Sequence, residues 1–153
     1  LEDTTMAAGD ITFFDESMKT MLLGWAGTDD IRVALVTNTP APAAGDATPI
    51  LAEYTELPTA GPYTQQGVSI GTWATLLTED AGVVTFDSVT NPPWPQNAAS
   101  VTDPYWGIIF NATQADDPCL AFIELGGPID LTLGSLTIVW NDTSGIATLT
   151  KAA

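Results

Sequence analysis

From Ile31 to Thr37 the chain reads Ile-Arg-Val-Ala-Leu-Val-Thr, with apolar and β-branched residues on both alternating faces. That pattern predicts a central strand covered on both sides. Six further runs, Val68–Thr78, Val83–Ser88, Tyr105–Asn111, Cys119–Leu125, Ser135–Trp140 and Gly145–Thr150, are short, apolar or alternating, and bounded by turn residues. Glu79-Asp80-Ala81-Gly82 between the first two is a hairpin signal. The period of two puts Leu136, Ile138 and Trp140 on one face, with Ser135 and Thr137 opposite. About seven short strands separated by turns predict a mainly β fold, an antiparallel β-sandwich or barrel.

One segment has a different period. Phe13, Phe14, Ser17, Met18, Met21, Leu22 and Trp25 recur at helical spacing. Thr12 with Asp15 resembles a capping box and Gly24 suits a helix C-terminus, which predicts one short N-terminal helix over 13–23. Residues 1–12 read as a flexible segment ahead of a single β-rich domain, 13–153. Two stretches fit neither period. Residues 38–63 carry Pro40, Pro42, Pro49, Pro58 and Pro62, and residues 91–104 hold Trp94 among Pro92, Pro93 and Pro95. Proline removes ladder donors, so both read as long loops. They carry Ile50, Leu51, Tyr54, Leu57 and Trp94, which are the candidate partner interface, since exposed anchors of this kind dominate many contacts.

Charge narrows the chemistry. Nineteen acidic residues face three basic ones, Lys19, Arg32 and Lys151, for a net charge of −16, and there is no histidine. Nucleic-acid affinity is built from Lys and Arg, so no nucleic-acid partner is expected. Without histidine, hydrolytic triads and imidazole-rich zinc sites lack their parts. Cys119 is the single cysteine, best read as a small buried hydrophobe. No run approaches the roughly 20 apolar residues needed to cross a bilayer as a helix, and no membrane partner is expected. Acids pair at Glu2-Asp3, Asp15-Glu16, Asp29-Asp30, Glu79-Asp80 and Asp116-Asp117, at turns and caps where solvated carboxylates are favoured. They lack EF-hand order, so no metal, catalytic or cofactor site is assigned and the chain is not expected to be an enzyme. Trp25, Trp73, Trp94, Tyr105, Trp106 and Trp140 could stack on sugars or anchor a partner; Trp73, Trp106 and Trp140 read as core, Trp94 as a contact residue.

The order of the helix signal from Phe13 to Gly24, Asp30 to Thr37, the proline excursion, Gly61-Pro62-Tyr63-Thr64 and Gly82-Val83-Val84-Thr85-Phe86-Asp87 resembles a family of small virion structural proteins of tailed bacteriophages. Tyr105–Phe110, Ala121–Gly127 and Leu136–Trp140 followed by Gly145-Ile146 continue the likeness, which spans about residues 13–150 and rests on structural residues. The chain departs from it at Gln65-Gln66 and in its charge balance. The resemblance implies a virion protein on the capsid surface, a decoration or cement protein whose partners are the major capsid protein and further copies of itself, as a homo-oligomer and by analogy a trimer. A tail or fibre component is the variant of that reading. A carbohydrate-binding module using Trp94 and Trp106 is the alternative from another class.

Overall fold

The computed structural model describes residue 9 and residues 11–17, 24–88, 90–141 and 144–150. Among these residues, ten strands lie in three antiparallel sheets. They are β1 (Ile11–Phe13), β2 (Asp30–Val36), β3 (Val68–Thr72), β4 (Leu77–Asp80), β5 (Val83–Phe86), β6 (Pro93–Trp94), β7 (Trp106–Asn111), β8 (Cys119–Glu124), β9 (Leu136–Thr137) and β10 (Ala147–Thr150). The main sheet runs β1-β8-β7-β2-β3, the second β10-β5-β4, and β6 pairs with β9. The mainly β, sandwich-like architecture expected from the strand periods is the one observed.

β2 is buried on both faces, as its composition requires. Ile31, Val33 and Leu35 point into a large core with Ile70, Ile109, Ile123, Phe86, Trp94, Leu131, Ile138 and Trp140. Ala34 and Val36 point into a second core with Phe14, Ile108, Phe110, Cys119, Phe122, Leu51 and Tyr54. A sheet apolar on both sides needs a cover on each. Strands β4, β5 and β10 supply part of the first through Leu77, Phe86 and Ala147.

The excursion over 38–63 helps to cover both faces. Its 3-10 turn, Leu51–Glu53, sets Leu51 and Tyr54 against the second core. Leu57 and Tyr63 enter the first. Between them the chain bridges Val36 to Glu56, with Thr37 N–H donating to Thr55 O at 3.0 Å and Leu57 N–H to Leu35 O at 3.0 Å. The excursion is therefore part of the domain's body.

Local chemistry alters several sequence expectations. The run Val68–Thr78 is split by a 3-10 turn, Trp73–Leu76, between β3 and β4. Thr75 Oγ1 accepts from Thr72 N–H at 3.0 Å, and the N–H groups of Trp73 and Ala74 turn to Asp29 O and Gly27 O. Hydroxyls that bind nearby backbone compete in this way with ladder formation. The β4–β5 hairpin closes on Ala81 and Gly82, both at positive φ, 49° and 85°, the backbone of a type I′ turn.

Ile11 and Thr12 are not loose: β1 pairs with β8, Ile11 against Ile123 and Thr12 against Phe122. The helix expected from residue 13 does not start there either. Phe13 closes β1, and Phe14 N–H still follows the strand to Leu120 O at 3.1 Å before the chain turns. Pairing with β8 outweighs the capping signal at Thr12; residues 18–23 of the expected helix lie outside the described residues.

Candidate functional site

The five residues expected to form a partner interface are built into the domain instead. Leu51, Tyr54 and Leu57 are buried, and Trp94 is only 1 % exposed. Ile50 is half-buried and bridges to Pro118. The reason is the two-sided sheet, whose apolar faces draw the apolar residues of the nearest loops. Trp94 lies on β6, held through Pro93 and Trp94 against Thr137 and Leu136 of β9. Its indole N–H is buried without a hydrogen-bond partner, so the side chain acts as an apolar plug. It offers no ring to a sugar or a partner.

Most of the buried polar groups that link distant segments serve as pins. Tyr63 Oη accepts from Leu35 N–H at 3.0 Å and donates to Glu56 Oε1 at 2.8 Å. Glu56 Oε1 also accepts from Gln66 N–H. Burial raises the pKa of Glu56, Asp117 adds to the rise, and the Tyr63 and Gln66 donors oppose it. Burial likewise pushes the Tyr63 phenol up, with Glu56 beside it. Close by, Gly67 has φ +60°, and any Cβ there would overlap the Val33 carbonyl. Gln66 is also at positive φ, and its Nε2 donates to Asp117 Oδ2 at 3.3 Å.

A second pin is Asp29, 2 % exposed. Burial alone would raise its pKa. Donation from Asn111 Nδ2 at 2.8 Å, Gln114 Nε2 at 2.7 Å and Ala26 N–H at 3.1 Å outweighs that and holds the carboxyl below its ordinary value. Asp29 thereby joins the start of β2 to the turn after β7. Asn111 is fully buried, with its Oδ1 accepting from Thr113 and Gln114 N–H, so its side chain holds a structural turn. A third pin joins Tyr54 Oη to Asp46 Oδ2 at 2.7 Å.

The acid pairs sit on turns and strand ends, and Glu16 and Asp116 line a common cleft. Glu79-Asp80 occupies β4, Asp116-Asp117 a turn with φ of 68° and 48°, and Asp29-Asp30 the entry to β2. Asp30 pairs with Arg32 at 2.7 Å and accepts from Ser69 Oγ. Glu2-Asp3 lies outside the described residues. Among the described residues no group of three or more potential metal ligands comes together. Cys119 is buried, and burial, with Asp117 next, raises its thiol pKa well above the usual range.

Two clefts remain. One, about 470 Å³, is lined by Trp25, Pro49, Ile50, Gln114, Asp116 and Cys119 among others. The other, about 300 Å³, runs between β1 and Leu136–Trp140. Trp25 and Trp73 meet edge to face at 5.0 Å, and Trp106 donates from Nε1 to Asn38 Oδ1 at 2.9 Å. Trp140 is buried as its strand period predicts. Among the described residues, the large hydrophobic side chains left exposed are Leu133, Val139 and Leu149, at 78, 66 and 66 %. Sequence reasoning missed all three. Leu149 alternates with Thr148 and Thr150 and reads as inward, but it shares a row with Val84 and Glu79 beyond the core-facing row of Ala147, Phe86 and Leu77. The signal that could have marked this segment is charge: Ser144–Thr150 carries none.

Comparison with family models, curated proteins and solved structures finds no match.

Proposed function

We propose that this chain is a non-enzymatic virion structural protein of a tailed bacteriophage, a decoration or cement protein that binds an assembled capsid lattice and stabilises it. The observation that carries the reading is what the residues of the resemblance do. Tyr63 ties the excursion to Leu35, Gly82 closes the β4–β5 turn, and Gly145 at φ +59° packs against Asp87. These residues build a frame, and the buried Asp29 and Asn111 and the half-buried Glu56 are occupied in pinning it. Such a domain acts by adhesion: many copies bind the assembled shell in preference to free subunits, and the shell gains stability by mass action. The high negative charge keeps loaded particles apart in solution.

The carbohydrate-binding alternative through Trp94 loses its support, because that ring is enclosed. Microscopy and labelling of purified particles test the proposal. Density or label on the capsid surface supports it. Density on the tail moves the chain to the tail or fibre variant, and absence from purified particles overturns both.

A further inference from the structure

We propose that two copies of this chain associate through the outer edge of β10, the end strand of its sheet among the described residues, pairing β10 antiparallel with β10 of the second copy. The inference concerns the chain by itself and does not rest on the virion reading.

Each sheet edge has a different character. On the main sheet, β3 is engaged from outside, since Ser88 Oγ donates to Ile70 O at 2.7 Å, and β1 is flanked by the cleft against Leu136–Trp140. On the second sheet, β4 carries Glu79 and Asp80, charges of the kind that guard an edge. β10 is Ala-Thr-Leu-Thr, without charge, proline or bulge, and among the described residues it pairs with β5 alone. Every second N–H and C=O of such a strand faces outward. Thr148 is exposed, and Leu149, among the described residues, is one of three large hydrophobics left exposed.

Charge selects the occupant. Copies of a chain of net charge −16 repel one another, and of the second sheet's two edge strands β10 carries no carboxylate of its own while β4 carries two. Pairing β4 with β4 would set Glu79 and Asp80 against the same acids. Pairing β10 with β4 would leave a free edge at each end and permit open chains. Pairing β10 with β10 gives one six-stranded sheet, β4-β5-β10-β10-β5-β4, whose outer edges are both acidic and stop further growth. The product is a two-fold pair, where analogy with lattice proteins pointed to a trimer.

Sedimentation of the full chain across concentration and salt tests this. A monomer–dimer equilibrium that tightens as salt screens repulsion is expected. Leu149→Glu should weaken it by roughly tenfold or more, whereas Leu133→Glu, which adds the same charge elsewhere, should leave it within about twofold. Hydrogen exchange should show the amides of 147–150 gaining protection with concentration, while those of Glu79 and Asp80 do not. Circular dichroism of both variants checks that they fold. A chain that stays monomeric at its highest soluble concentration in high salt overturns the proposal. So does equal weakening by the two variants, or concentration-dependent protection on β1 or β4 in place of β10.

Discussion

Tyr63 Oη lies 3.0 Å from the backbone nitrogen of Leu35, near the end of a central strand buried on both faces. That contact fastens the end of the proline excursion to the sheet it covers. The phenol accepts from Leu35 and gives its own proton to Glu56, so one hydroxyl satisfies a strand amide and a half-buried carboxylate. Removing it leaves both without this partner. Tyr63→Phe should lower unfolding free energy by about 1–3 kcal/mol, read as a shift in urea midpoint at unchanged slope.

Gly67 presses on the same strand from the other side of the turn. With φ +60° and no room for a Cβ beside Val33 O, Gly67→Ala should cost about 3 kcal/mol or more. Gly134 has open space and an ordinary φ, so Gly134→Ala should change stability by less than about 0.5 kcal/mol. Thermal melts of the two variants side by side test the contrast.

Deleting 41–58 removes Leu51, Tyr54 and Leu57 and uncovers part of both cores. A chain with a Gly-Ser linker in their place should lose its cooperative transition. Trp94→Ala should destabilise by about 3–5 kcal/mol for the same reason. Retention of a sharp melt by the deletion variant would show that the excursion is dispensable to the fold.

Acid should act in two opposed windows. The pKa values of Glu56 and Asp117 are raised in the fold, so their protonated forms favour it. Their contribution is full below the ordinary carboxylate value and is lost as pH rises through the raised values. The pKa of Asp29 is lowered; its contribution is present above the ordinary value and is lost as pH falls through the depressed one. Melting temperature should therefore climb as pH drops from neutral into the mildly acidic range, then fall. Glu56→Gln should flatten the climb, and Asp29→Asn should remove part of the fall.

Much of this architecture was legible because strands carry their own pattern. β2, β5, β7 and β8 fall where the apolar runs predict, the two-residue turn at Ala81-Gly82 is local chemistry, and double burial of β2 follows from its having no polar face. Leu136, Ile138 and Trp140 share an inward face although only Leu136–Thr137 forms a strand, since alternation needs extended backbone and not a ladder.

The sequence by itself also showed that Leu51, Tyr54, Leu57 and Trp94 were too apolar for solvent, but not what would shield them. That was decided by closure of the sheet, which left two apolar faces within reach of the same two excursions, so an intramolecular cover displaced the intermolecular one. The end of β1 was decided similarly, by pairing with β8 that no local window contains. Leu149 went the other way: its alternation marks it as inward, yet the sheet carries its row past the core and leaves it exposed. Periodicity fixes which side of a strand a residue occupies; only the assembled tertiary structure determines whether anything lies there to bury it.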